Sequence, residues 1–257
     1  MSRALPFLRA TVAGGFAFLG LYLLATPFVL HARLTGRIEK LYSVALWIVR
    51  NALRLAGVKI EVTGRENFPG RTCVYMANHQ SNIDPPILFV TLPPRIAMMG
   101  KKQVFSIPVL GTALRAGDFV PVHREDPEEA RESVEVALEK LRRGVSFLVY
   151  PEGHRSWDGR LLPFKHGVFV LAIRGGVPIV PITLDGATGL MPKGKWEIYP
   201  GVVRVTIHPP VETAHRRVEE RRQLGREVRA IIASALPPEL RGEPAPAAPT
   251  IDSTTVQ

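Results

Sequence analysis

From Ala10 to Leu30 the chain carries no charged residue: ATVAGGFAFLGLYLLATPFVL. A helix of that length matches the hydrocarbon core of a bilayer, so any fold must either bury the run or offer it to lipid. Three readings are open: a transmembrane helix, a helix lying in the membrane, or a signal peptide. The signal peptide fits least, because the apolar region is long and the single cysteine, Cys73, gives no support to an oxidising destination. The expectation is a membrane anchor, crossing or embedded, with Pro27 kinking or stopping its helix.

The charge pattern agrees. Residues 1 to 60 hold eight Lys or Arg against one acid, Glu39, in a chain whose formal net charge is +10. Basic residues flanking apolar segments point to an anionic membrane surface. No nucleic-acid motif is present, and nucleic acid is not expected as a partner. Leu34 to Ala56 repeats apolar residues at helical spacing, with Arg37, Lys40, Arg50 and Arg54 interspersed. Such a helix can lie at a membrane surface, pack on the following domain, or do both with different faces.

From Val58 short apolar runs alternate with helical patterns, which argues for an α/β fold: a mixed sheet covered by helices. Strands are expected at 59–63, 71–77, 95–99, 119–122, 146–150 and 179–184, with 197–199 pairing 203–208. Helices are expected at 85–91, 105–114, 127–143, 168–174 and 215–236. The clearest is 127–143, with Asp126 as cap, Pro127 in its first turn and Gly144 beyond its end. The organisation expected is membrane-anchoring helices at 1–57, a catalytic domain at 58–236, and a disordered tail at 237–257 rich in Pro, Ala, Ser and Thr.

Within this frame the stretch Met76 to Pro86, MANHQSNIDPP, carries His79 and Asp84. Five residues apart on an ideal helix, they would face about 140° away from each other. A loop must therefore fold them together if they cooperate. Asp84 is expected to cap the helix that Pro85 opens. A paired imidazole and carboxylate can act as a general base, but a structural His and a simple cap fit the same residues. Behind the strand at 146–150 come Glu152, Gly153, His154, Arg155 and Ser156. The Arg155 guanidinium suits a phosphate; Glu152 would repel one and is expected to orient a cation. Arg124, Lys101 and Lys165 also lie at or near strand ends, where they make an anion pocket if those ends converge. No cluster suggests a metal site, no glycine-rich phosphate loop occurs, and Ser81 and Ser156 lack the elbow of a serine hydrolase.

In this order, the NHxxxxD block at Asn78 to Asp84, a block ending in Arg124, the PEGHRS block at 151–156 and VPIVPI at 177–182 resemble the glycerolipid acyltransferases. The nearest resemblance is to the branch that acylates 1-acylglycerol-3-phosphate, and it covers roughly residues 60 to 210. It implies His79 as base and Asp84 as its orienting partner. Arg124, Glu152, Gly153 and Arg155 would form the acceptor phosphate site, and the 177–182 block would shape the acyl side or support the core. The implied reaction moves an acyl group from acyl-CoA or acyl carrier protein, as co-substrate and with no cofactor, to lysophosphatidic acid. The implied location is the inner face of the cytoplasmic membrane. Two positions depart from the family pattern: His154 stands where Thr is usual, and His123 where an acid is usual. These leave open another lysophospholipid, an aminolipid or a glycolipid as acceptor. The alternative of another class is a membrane-binding protein without catalysis.

Overall fold

A computed structural model of the chain describes residues 4–122 and 126–242. The uncharged run folds as helix α1 (Ala4–Leu19), a π-helical turn (Gly20–Ala25) and α2 (Thr26–Thr35), one continuous rod. Pro27 does not stop it. The wide turn lies just before Pro27, and the Thr26 hydroxyl donates to the carbonyl of Tyr22 at 2.6 Å. Local π geometry of this kind absorbs a residue that has no N–H to give. The stop comes at Gly36, whose φ of 70° ends α2 and separates it from α3 (Glu39–Leu55). The helical pattern starting at Leu34 therefore spans two helices rather than one.

The remaining elements are β1 (Val58–Thr63), β2 (Val74–Ala77), α4 (Asp84–Thr91), β3 (Ile96–Lys101), α5 (Leu110–Ala116), β4 (Val120–Val122) and α6 (Pro127–Arg142). After them come β5 (Ser146–Val149), α7 (Phe169–Gly175), β6 (Ile179–Asp185), the short α8 (Ala187–Leu190), β7 (Gly201–Ile207) and α9 (Arg221–Ser234). As expected, the Asp126 side chain caps α6, accepting from the N–H groups of Glu128 and Glu129. Residues 197–199 form no strand. The Ile198 N–H goes to Pro6 and the Tyr199 N–H to Leu190, so this backbone is bonded to helix termini.

The seven strands form one mixed sheet in the order β1-β7-β6-β2-β5-β3-β4. Five run parallel, from β6 through β4, while β7 is antiparallel to β6 and parallel to β1. Strand alternation sends Tyr75 and Ala77 to one face and Val74 and Met76 to the other. The first face packs with Ala10 and Ala13 of α1, Leu53 of α3 and Ile87 of α4. The second is covered by α6, α7 and α9 through Leu138, Phe169 and Val228. Helices α1 and α3 thus share the core of the sheet. The Tyr42 hydroxyl, on α3, donates to the carbonyl of Ile96 and accepts its N–H at the start of β3.

The described residues run past the expected boundary at 237. Pro238–Leu240 forms a 3-10 turn, and the carbonyl of Leu240 accepts the Leu161 N–H at 2.8 Å.

Candidate active site

Parallel strands place the loops that follow them on one sheet edge, where α/β folds bind ligands. Here the loop after β2 carries His79 and the loop after β5 carries Glu152 to Ser156. Asn78 fastens the first loop. Its amide donates to the carbonyl of Leu184 at 2.8 Å and accepts the Leu184 N–H at 2.7 Å, extending the β2–β6 pairing beyond the last strand residue.

The loop then turns back on itself. Asp84 Oδ2 lies 2.8 Å from His79 Nδ1 and accepts the backbone N–H groups of Gln80 and Ser81 at 2.7 Å each. The carboxylate is therefore not the cap of α4. It points toward the preceding loop, and Ile83 holds the cap position. Burial raises the Asp84 pKa, opposed first by the bond to His79 and the charge there, then by the two N–H donors. An ionised carboxylate at this distance accepts a proton from Nδ1, and in that tautomer Nε2 is the basic nitrogen. The His79 ring also stacks on Tyr150, with centroids 4.0 Å apart and planes 17° from parallel, and its side chain is 14% exposed. Tyr150, the residue after β5, is a contact that the sequence reading missed.

The second loop holds the first from behind. Glu152 Oε1 accepts the His79 N–H at 2.5 Å and Oε2 accepts the Leu162 N–H at 2.8 Å. The Ser156 N–H donates to the His79 carbonyl at 3.0 Å, and its hydroxyl donates to Asp158. Glu152 and Ser156 are buried. Their polar atoms are engaged in holding the His79 backbone and the 158–162 turn. Burial pushes the Glu152 carboxyl up to about 8, against the opposing pull of the Leu162 and His79 N–H bonds.

Cations surround this framework. Gly153 has a φ of 76°, and a Cβ there would lie 2.8 Å from Lys165 Cε, so glycine lets the lysine chain pass over the turn. Arg155 is half-buried, and its carbonyl accepts from Lys193 Nζ at 2.7 Å. Lys193 was not singled out in the sequence. Lys101 ends β3 on the same sheet edge and is exposed, without a bond to the other site residues among those described. Arg124 and His123 lie outside the described residues. Of the 177–182 block, Ile179 to Ile182 are the buried start of β6, in the core.

A cavity of about 490 Å³ opens between α1, α3, α4 and α5. Its walls are almost wholly apolar. They include Pro85 and Pro86, the residues immediately after Asp84, together with Ala45, Phe89, Ala113 and Phe119.

A family model described as Acyltransferase matches residues 59–185. A chloroplastic 1-acyl-sn-glycerol-3-phosphate acyltransferase of Brassica napus is 42% identical over 156 residues, which are 60% of this chain and 45% of that protein. One from Chlamydomonas reinhardtii is 33% identical over 252 residues, 94% of this chain and 74% of the relative. The chain thus spans under half of the first relative and about three quarters of the second. A crystal structure of the 1-acyl-sn-glycerophosphate (LPA) acyltransferase PlsC from Thermotoga maritima has a TM-score of 0.77 at 30% identity, covering 90% of this chain and 95% of that one.

Proposed function

This chain belongs to the 1-acyl-sn-glycerol-3-phosphate acyltransferase family, and on that premise we propose that it transfers an acyl group from a thioester to the free hydroxyl of lysophosphatidic acid. The observation that carries the reading is the 2.8 Å contact between His79 Nδ1 and a fully buried Asp84, at a sheet edge between cationic loops and an apolar cavity.

A thioester is already activated, so the reaction needs no enzyme nucleophile and no cofactor. His79 Nε2 takes the proton of the acceptor hydroxyl as that oxygen attacks the acyl carbonyl. The new C–O bond forms, the C–S bond breaks, and the leaving thiolate receives the proton held on the imidazolium. Asp84 stabilises that imidazolium. Arg155, with Arg124, Lys101 and Lys165, binds the acceptor phosphate, and positioning provides much of the rate. The donor chain lies in the apolar cavity. Acyl-CoA and acyl carrier protein are both suitable donors.

The rod of α1 and α2 is long and apolar enough to cross a membrane. It also touches the catalytic domain along much of its length, with Pro6 bonded to Ile198 and the Tyr22 hydroxyl to the carbonyl of Pro108. A helix so attached fits one leaflet of a bilayer, and the positive charge of residues 1 to 60 supports an anionic surface such as the inner face of the cytoplasmic membrane.

The deciding assay mixes purified protein with lysophosphatidic acid and acyl-CoA or acyl carrier protein and follows phosphatidic acid. The expected result is turnover that His79→Ala lowers by about 10²–10⁴; undiminished turnover in that variant would exclude the mechanism. The exposed His154 favours testing other lysolipid acceptors in the same assay. A preference for an uncharged acceptor would remove the phosphate role of Arg155.

A further inference from the structure

Met191 to Ile198 lies in no helix or strand, yet three parts of the protein hold it. The Ser81 hydroxyl, two residues from His79, donates to the Met191 carbonyl at 2.7 Å. Lys193 Nζ donates to the Arg155 carbonyl at 2.7 Å. At the far end the Ile198 N–H donates to Pro6, and the Trp196 ring packs on Gly14 of α1, where a Cβ would lie 3.2 Å from it. One loop therefore joins the catalytic turn, the cation-bearing turn and the apolar helix.

This loop and the neighbouring Arg155 turn together display what a bilayer surface selects. Trp157 is 72% exposed and Trp196 is 55% exposed. The Lys193 ammonium stands 4.1 Å from the centre of the Trp157 ring, Gly194 lies beneath that ring, and Lys195 is exposed beside Trp196. An indole with an ammonium beside it fits the headgroup layer, with the ring at the acyl boundary and the cation on phosphate oxygens. Trp196 makes this patch continuous with α1, whose outward side chains include Phe7, Leu8 and Phe18.

We infer that Trp157, Lys193, Lys195 and Trp196 form a second membrane contact, on anionic lipid headgroups, that seats the active-site loops at the depth of the acceptor's headgroup. The inference rests on the acyl-transfer reading above. It adds that bilayer contact acts through the loop on Ser81 and on the Arg155 turn.

The test uses the full chain and vesicles of phosphatidylcholine with phosphatidylglycerol, brominated on the acyl chain close to the headgroup. The chain has three tryptophans, so replacing two by Phe leaves one reporter. Emission from Trp157 and from Trp196 should shift to the blue and be quenched. Lys195→Gln should weaken binding to these vesicles about fivefold and leave binding to pure phosphatidylcholine unchanged. Replacing both Trp157 and Trp196 by Ala should slow turnover of a bilayer-borne acceptor several-fold while sparing a short-chain acceptor dissolved as monomers. Absence of quenching at Trp157 and Trp196 overturns the proposal, whatever Trp47 reports. Equal loss on both acceptors also overturns it, since that marks a purely structural role. If the unaltered protein turns over neither acceptor, the acyl-transfer reading fails, and the quenching still decides the membrane contact.

Discussion

The backbone N–H of His79 ends on the carboxylate of Glu152, 73 residues away, and the Ser156 N–H holds the carbonyl of the same histidine. The histidine is thus held by its main chain as well as by Asp84. Glu152 is buried and its carboxyl is pushed up to about 8, whereas a glutamate in the unfolded chain titrates near 4.3. Between these values the folded protein retains a proton that the unfolded chain has lost. This group's contribution to stability is therefore complete below about pH 4.3 and is lost as pH rises toward 8. Glu152→Gln does not titrate, so the melting temperature of the wild type minus that of the variant should shrink from pH 5 to pH 8. Thermal melts of both proteins at the two pH values measure it, and a difference that stays constant or widens contradicts the assignment.

Asp84→Asn keeps the size of the side chain and removes its charge. The variant can still accept the loop N–H groups through its amide oxygen, but it no longer stabilises a positively charged His79. We expect kcat to fall by about 10²–10⁴ with an unchanged far-UV spectrum. His79→Ala should fall by a similar factor, and the double variant should be little worse than the worse single, because the two residues act as one unit. Additive losses would show that they work separately.

Arg155→Ala tests the phosphate clamp. A hydrogen bond to a charged group is worth about 1.5–3 kcal/mol, roughly 10- to 100-fold in kcat/KM for lysophosphatidic acid. An acceptor without the phosphate should be nearly indifferent to the change. Arg155→Lys should fall between, since an ammonium keeps the charge and loses the bidentate fork. An equal loss with both acceptors would mean that the residue supports the loop and does not bind phosphate.

Much of this site could be read in one dimension because its signals are local. The apolar run before Asn78, the proline pair after Asp84 and the capped helix at Pro127–Arg142 each depend on near neighbours. Where the reading failed, the deciding partner was remote in sequence or the local signal had a competitor. Asp84 before Pro85 has the features of a helix cap, but the N–H groups of Gln80 and Ser81 take its carboxylate. Glu152 beside Arg155 suggests an ion pair, but burial places its oxygens on the His79 and Leu162 backbone. Residues 197–199 alternate like a strand, yet their N–H groups are taken by Pro6 and Leu190. Lys193 carries no local signal at all; only the fold brings it to Arg155.

The cavity beside Asp84 makes the last prediction. Its volume is about 490 Å³, and Ala45 of α3 and Ala113 of α5 are among the small residues of its wall. If the donor chain fills this space, a larger side chain there should shorten the chain that fits while leaving the His79–Asp84 pair untouched. Each methylene that no longer enters costs about 0.8 kcal/mol, roughly fourfold in kcat/KM. Ala45→Leu and Ala113→Leu should therefore move the preferred donor toward shorter chains, with little change in the rate of the shortest. A series of acyl-CoA donors of increasing length, assayed with one acceptor, measures this. A uniform loss at every length would place the donor chain elsewhere, because a blocked wall penalises only the carbons that reach it.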